Sequence, residues 1–141
     1  PLKFYEDFDV FKIFPLDVGL LGAMTDVPAS KLLVGDNCFT EFKGAFTECY
    51  VNEQLARIQM PTYYFSGTDT EIEIDFAVQT ENRVIPIEVK SEESVRSKSL
   101  KTYIDKNPSL KGLRVSMKNY IDQGWMENIG LYAIEGFLRK S

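Results

Sequence analysis

The stretch EIDFAVQTENRVIPIEVK, residues 73–90, decides the fold because it predicts two β-strands joined by a polar turn. Side chains alternate between the two faces of a strand. The predicted apolar row consists of Ile72, Ile74, Phe76, Val78, Ile85, Ile87 and Val89. The opposite row contains Glu71, Glu73 and Asp75 in the first strand and Pro86, Glu88 and Lys90 in the second. Asp75, Glu88 and Lys90 stand at positions where a strand often has neutral side chains.

The register of this hairpin determines whether the three charges can meet. If the turn has an even number of residues, with Val78 opposite Arg83, Asp75 lies one diagonal step from Glu88. A shift of one residue would exchange the faces. Two interpretations remain open. The charges form the solvated face of an antiparallel hairpin, or the two carboxylates bind a divalent cation that Lys90 also approaches.

A long helix is predicted over residues 40–59, where apolar side chains recur with helical spacing before Pro61. Glu48 shares a partly apolar stripe of this helix with Val51 and Leu55, so its carboxylate needs a partner. Either it faces the charged residues of the hairpin, or it lies at the edge of the helix face and pairs with a surface lysine.

The composition limits the chemistry that the chain can perform. A length of 141 residues with 44% hydrophobic and 26% charged residues is typical of one soluble domain. With no histidine, catalysis must depend on carboxylates, lysine or a hard cation. The net charge of −5 does not favour nucleic-acid binding. The spacing of Cys38 and Cys49 predicts neither a zinc site nor a disulfide, which leads us to expect reduced thiols in the cytoplasm.

The N-terminal part predicts short elements without a membrane-spanning or export segment. We expect a strand over residues 10–14, a helix from Asp17 to Met24 capped by Asp17, and another short helix before a turn at Gly35. We treat residues 1–39 as an N-terminal strand and helix extension, and residues 40–141 as the core of one compact domain.

The remaining segments predict a mixed α/β order for the core. Residues 62–65 form a strand before the hairpin, and a helix follows it and ends before Pro108. Residues 113–117 and 130–138 are expected to be strands, separated by a loop around Trp125. The core therefore reads as a helix, three strands, a helix and a strand.

This order of residues resembles the PD-(D/E)xK superfamily of restriction-endonuclease-like proteins. The matching features are a helix with Glu48, a strand with Asp75 and the sequence from Glu88 to Lys90. More narrowly, DVGLL, FTECYVNEQL, EIDF and IPIEVKS look like a C-terminal domain of unknown function that follows an AAA+ ATPase module in prokaryotic proteins. The likeness extends from Phe11 to about Ile134 and includes RSKSLKTYIDKNP. The superfamily's literal Pro-Asp pair is missing, because Ile74 precedes Asp75.

The resemblance implies a restriction-endonuclease-like αβββαβ core with a mixed sheet flanked by helices and an N-terminal helical extension. It further implies catalytic positions at Glu48, Asp75, Glu88 and Lys90. A Mg²⁺ or Mn²⁺ ion would be held by Asp75, Glu88, Glu48 and the backbone carbonyl of Val89. An N-terminal AAA+ ATPase would bind the ATP, and it would explain why the chain begins with Pro1 and not methionine.

Two functions are therefore expected from the sequence. One is a Mg²⁺-dependent nuclease acting on DNA or RNA beside the ATPase; the other is a catalytically inactive nucleic-acid-binding or regulatory module. Arg96, Lys98 and Lys101 are candidate phosphate contacts, although a basic run on a helix is also typical of a solvated face. Aromatic residues that could stack on bases, or else pack in the core, are Tyr63, Tyr64, Phe65 and Trp125.

Overall fold

A six-stranded sheet organises the protein in a computed structural model that describes residues 1–26, 40–67, 72–91 and 96–141. In chain order, the helices and strands are α1 (Val18–Thr25), α2 (Thr40–Arg57), β1 (Thr62–Ser66), β2 (Glu73–Gln79), β3 (Val84–Val89), α3 (Lys98–Lys106), β4 (Gly112–Ser116), β5 (Ile121–Asp122), β6 (Met126–Gly130) and α4 (Ile134–Leu138). Short 3₁₀ turns are formed by Leu2–Tyr5 and Leu131–Ala133. The expected order of helix, three strands, helix and strand is confirmed for the core.

The sheet is mixed, with strand order β1-β2-β3-β4-β6-β5. The pairs β1–β2, β2–β3 and β5–β6 are antiparallel, whereas β3–β4 and β4–β6 are parallel. The chain leaves β3 and returns to β4 through α3, as a parallel pair requires a crossover. The edges of the sheet are β1 and β5, and β5 is two residues long.

The central hairpin has the predicted even register, displaced by two residues. Val78 lies opposite Ile85 and not Arg83, and Phe76 lies opposite Ile87. A displacement of two residues keeps the alternation of faces, because the side-chain period of a strand is two. The correction therefore changes which residues are neighbours and leaves the apolar row of β3 intact.

A β-bulge interrupts β2 beside Asp75. On β1 the pairing advances two residues, from Tyr63 to Phe65, while on β2 it advances three, from Ala77 to Ile74. The extra residue in β2 interrupts the strict alternation of side chains between the two faces of the sheet that we predicted for the whole strand. Ile74 consequently packs in a different apolar cluster from Phe76.

Two apolar clusters form the core. The larger one joins the sheet to α2 and α4 through Val51, Leu55, Phe76, Val78, Ile85, Ile87, Val89, Leu113, Val115, Ile129, Ile134 and Leu138. The smaller one joins it to α3 through Ile74, Leu100, Ile104 and Met126. The larger cluster packs β2 and β3 against α2. These are the elements that carry the charged residues.

Two predicted strands are wrong. Residues 10–14 form no strand: Lys12 and Phe14 turn inward and Phe11 and Ile13 outward, which produces an alternating pattern without a sheet partner. Residues 131–138 are helical, because Ile134 and Leu138 are buried four residues apart.

The region around Trp125 also differs from the predicted loop. The strands β5 and β6 flank it, and Gly124 takes a left-handed φ of 80° in the turn between them.

Other predictions have mixed outcomes. Asp17 caps α1 as expected, since its Oδ1 accepts a hydrogen bond of 2.8 Å from the backbone N–H of Leu20. The short helix expected before Gly35 lies outside the described residues, as does Cys38. Within the described ranges, every helix is too short or too polar to traverse a lipid bilayer.

Candidate active site

Asp75 lies at the bulge of β2, where its side chain, and not the β2 backbone, accepts a hydrogen bond from β3. The β2–β3 backbone pairing ends at Phe76 and Ile87, and two residues further along β3 the backbone N–H of Val89 donates to Asp75 Oδ2 over 2.7 Å. A charge-assisted hydrogen bond of this length holds the carboxylate at the end of β3. The carboxylate is therefore fixed by the geometry of two neighbouring strands.

The electrostatics of Asp75 show which predicted residues come together. The pKa of Asp75 is raised to about 6, chiefly by burial and also by the negative charges of Glu48 and Glu88. The hydrogen bond from Val89 and the positive charge of Lys12 act in the opposite direction. Glu48 of α2 and Glu88 of β3 therefore both lie within electrostatic reach of Asp75 on β2.

Glu88 is the most deeply buried of these carboxylates, with 4% of the residue exposed. Its Oε1 lies 3.1 Å from Lys90 Nζ in an ion pair. Its Oε2 is buried and has no hydrogen-bond partner among the described residues. An unpaired buried carboxylate oxygen is costly, so this atom is a candidate ligand position.

A buried polar network holds the neighbouring strands beside Glu88. Arg114 of β4 is the register partner of Glu88, and it donates from Nε to Asn128 Oδ1 over 2.8 Å. The hydroxyl of Ser116 donates to the same oxygen over 2.8 Å. Burial lowers the pKa of Arg114, and the charge of Glu88 opposes this effect. Sequence analysis missed Arg114, although a lone charge inside the apolar run LRVSM was a usable signal.

Glu48 satisfies both of its predicted interpretations. It lies near Asp75, and it also pairs with a lysine, because Lys12 Nζ is 3.8 Å from Glu48 Oε2. The same ammonium lies 3.1 Å from Glu73 Oε1. We call Glu48, Glu73, Asp75 and Glu88 the acidic cluster. Lys12 was also missed from the sequence, although it is the single charge in the run VFKIF.

The predicted phosphate contacts lie at the start of α3. Arg96 and Lys98 are exposed, as expected of a solvated helix face. Lys101 pairs with Asp105, and its ammonium lies 5.4 Å from the centre of the Trp125 ring. The charge of Lys101 is therefore partly neutralised, whereas those of Arg96 and Lys98 face solvent.

The candidate stacking aromatics mostly contact other side chains. Phe65 lies 5.1 Å from the Tyr103 ring, measured between centroids, and Trp125 packs against the smaller apolar cluster. The Tyr64 ring lies 5.2 Å from Lys12 Nζ. Trp125 therefore belongs to the core, whereas Phe65 remains 39% exposed.

The donor set suits a hard divalent cation in chemistry. All its candidate side-chain ligands are carboxylate oxygens, and a cation would relieve the repulsion that contributes to the raised pKa of Asp75. The unpartnered Glu88 Oε2 supplies a ready acceptor. However, in the described ranges no three Asp, Glu, His or Cys side chains are already arranged as a ligand set. The acidic cluster therefore offers suitable oxygen ligands, but these carboxylates already interact with partners inside the protein.

Comparison with known protein families identifies a match to most of the chain. The profile of the family described as "Domain of unknown function (DUF4143)" matches residues 43–133, which include the whole acidic cluster. No curated protein and no solved structure matches the chain.

Proposed function

The chain belongs to the DUF4143 family, and from its acidic cluster we propose that it is a Mg²⁺-dependent nuclease domain that hydrolyses phosphodiester bonds in the cytoplasm. The observation that carries this proposal is the convergence of Glu48, Asp75 and Glu88 on the buried end of a hairpin, beside Lys90. Buried carboxylates beside a lysine at a strand end are a suitable arrangement for phosphate chemistry without histidine.

The restriction-endonuclease-like topology is part of the proposal. It is supported by the order helix, three strands, helix and strand. Asp75 lies on the second of those strands and Glu88 on the third, and Lys90 directly follows the third. An AAA+ ATPase module on the N-terminal side of this chain is also proposed, on the sequence resemblance alone. That module, and not this domain, would bind ATP.

In the proposed mechanism, Asp75 and Glu88 provide the metal ligands, with Glu48 and the Val89 carbonyl completing the set. When bound, Mg²⁺ would polarise the phosphoryl group and lower the pKa of a water molecule. Lys90 stands 3.1 Å from Glu88 Oε1 and is 32% exposed, so its ammonium can turn from that carboxylate toward a phosphate. There it would stabilise the negative charge that develops in the transition state.

Nucleic-acid binding would depend on the exposed start of α3. Arg96 and Lys98 are free to approach phosphates from solvent, whereas Lys101 must share its charge with Asp105. We therefore assign the larger electrostatic contribution to Arg96 and Lys98. The net charge of −5 makes binding by this domain weak and sensitive to salt.

A second function is favoured by the internal pairing of the site. Lys90 pairs with Glu88, Lys12 pairs with both Glu48 and Glu73, and no three-residue ligand set is preformed in the described ranges. This closed state suits a catalytically inactive module that binds nucleic acid or regulates an attached ATPase. The two functions differ in whether a divalent cation enters the cluster.

The test measures Mn²⁺ binding by calorimetry and cleavage of single- and double-stranded DNA and RNA. We expect Glu88→Gln to lose both cation binding and cleavage, since it removes the charge of a ligand. We expect Lys90→Met to bind Mn²⁺ and to cleave at least about 100-fold more slowly, because its role is in the transition state.

Matched controls come from a second ion-pair group, formed by Lys111 just before β4, Asp122 of β5 and Glu127 of β6. Glu127→Gln and Lys111→Met remove the same charges from residues that pair with each other at 3.6 Å, away from the acidic cluster. Both should retain wild-type binding and cleavage. Cleavage that persists unchanged in Glu88→Gln and Lys90→Met would refute the nuclease, and nucleic-acid binding without any cation dependence would identify the inactive module.

A further inference from the structure

Lys12 has an unusual orientation in an extended segment, residues 11–17, which we call the N-terminal strap. Its side chain is 24% exposed, while its neighbours Phe11 and Ile13 are 69% and 82% exposed. Burying an ammonium while exposing adjacent apolar side chains opposes the hydrophobic effect. The interior must therefore offer this ammonium specific partners.

Those partners are the carboxylates of the acidic cluster. Lys12 Nζ lies 3.1 Å from Glu73 Oε1 and 3.8 Å from Glu48 Oε2, and its charge acts on Asp75. Burial alone would lower the pKa of Lys12, but the hydrogen bond to Glu73 and the charges of the three carboxylates raise it. The ammonium therefore stays charged and acts as a counter-cation.

The strap is fixed in place by contacts of the residues that follow Lys12. The rings of Phe14 and Phe76 are 5.6 Å apart, and the Cys49 thiol donates to the Pro15 carbonyl over 3.9 Å. Asp17 then begins α1 as its cap. These anchors connect the strap to β2 and α2, the two elements that carry Asp75 and Glu48.

We propose that Lys12 is a built-in competitor for the divalent cation and sets the affinity of the acidic cluster for it. This inference rests on the proposed function. The ammonium of Lys12 lies between Glu48 and Glu73. Its positive charge repels a divalent cation bound to Asp75 and Glu88. Glu88 Oε2 has no hydrogen-bond partner in the part of the chain that the structure describes, so the cluster keeps one acceptor that neither Lys12 nor Lys90 satisfies. Lys12 is a positioning residue that acts on the carboxylates and touches no reacting atom.

The experiment titrates the 141-residue chain with MnCl₂ by calorimetry and follows its thermal midpoint at each concentration. Lys12→Gln and Lys12→Met should each bind Mn²⁺ about five- to tenfold more tightly than the wild type, because the repelling charge is gone. Both should unfold at a lower temperature without Mn²⁺. The difference in unfolding temperature from the wild type should narrow as Mn²⁺ is added, because the variants bind it more tightly and binding stabilises the folded state.

Two variants serve as controls. Lys12→Arg keeps the positive charge and should bind Mn²⁺ like the wild type. Lys111→Gln removes a lysine that also bridges two carboxylates, Asp122 and Glu127, at 2.9 Å and 3.6 Å. Because neither carboxylate belongs to the acidic cluster, this variant should leave the affinity for Mn²⁺ unchanged.

The outcomes separate this inference from the proposed function. If the wild type binds Mn²⁺ and Glu88→Gln does not, but both neutral Lys12 variants match the wild type, Lys12 is a structural ion pair and the inference is wrong. If neither the wild type nor the Lys12 variants bind Mn²⁺, the cation site itself is refuted and the inference is overturned with it. The inference is supported only if Lys12→Gln and Lys12→Met bind Mn²⁺ more tightly than the wild type.

Discussion

The protonation of Asp75 depends strongly on its surroundings in the acidic cluster. Its pKa is about 6 in the folded chain, chiefly because of burial and then because of Glu48 and Glu88, against an ordinary value of 3.8. The folded state therefore binds this proton more tightly than the unfolded state does. The stabilising contribution is complete below about pH 4, and it is lost as the pH rises through 6.

We predict that Asp75→Asn stabilises the folded protein at pH 7. Asparagine keeps an oxygen that can accept from the Val89 N–H and removes the buried charge. The gain should be about 1–3 kcal/mol at pH 7 and close to zero at pH 4. Urea denaturation at several pH values measures it.

Asp122 provides a control of opposite sign for this experiment. The pKa of Asp122 is lowered by the hydrogen bond from Gly124 N–H and by Lys111. Asp122→Asn should therefore destabilise the protein at neutral pH. A gain for Asp75→Asn that is equal at pH 4 and pH 7 would contradict the proposed electrostatic cause.

At the scale of elements, the contact between α3 and β4 depends on the absence of a side chain. A Cβ at Gly112 would lie 3.0 Å from Leu100 Cδ2 and 3.1 Å from its Cγ. Leu100 is fully buried among Ile104, Met126 and Ile74. The helix can therefore approach the strand closely only while position 112 is glycine.

We predict that Gly112→Ala destabilises the protein by about 1–3 kcal/mol through overpacking. Gly44→Ala is the matched control, because Gly44 lies inside α2 with no atom within 4 Å of an added Cβ. It should stabilise the protein by up to about 1 kcal/mol through helix propensity. Chemical denaturation compares the two, and equal effects would show that space at Gly112 is not limiting.

At the scale of the whole molecule, the first ten residues contribute little to the fold and much to its apolar surface. Phe4, Tyr5 and Phe8 are exposed, and no residue of this segment is buried. A hydrogen bond of 2.8 Å joins Leu2 N–H to Gln79 Oε1. The strap that follows is different, because Phe14 packs against the larger core cluster.

Removing residues 1–10 should therefore leave the thermal midpoint within about 2–3 °C of the full chain, since few ordered contacts are lost. The same deletion should reduce binding of an apolar dye such as ANS. Removing residues 1–17 should lower the midpoint clearly more, because Phe14 and Pro15 are lost too. Equal midpoints for the two truncations would show that the strap is not anchored.

Much of the core was predictable from the sequence because its patterns are local. The alternation of Ile85 and Ile87 identified β3, and helical spacing around Val51 and Leu55 identified α2. Capping by Asp17 was readable for the same reason. The convergence of Glu48, Asp75 and Glu88 was predictable only once these elements were combined with the family resemblance.

The remaining features depend on contacts between distant residues. The bulge at Asp75 is set by β1 pairing, and alternation in β2 alone gives no sign of it. The inward turn of Lys12 requires Glu48 and Glu73, which are far away along the chain. Residues 131–138 are apolar enough for a strand or a helix, and packing of Ile134 against the core selects the helix.

The margins of the sheet have a consequence for self-association. One outer strand, β1, is only five residues long, and the other, β5, ends after two residues. Neither offers a long regular row of free amide groups on which an identical molecule could extend the sheet. Molecules that do stick together through their apolar N-terminal side chains should therefore form amorphous particles and not ordered fibrils.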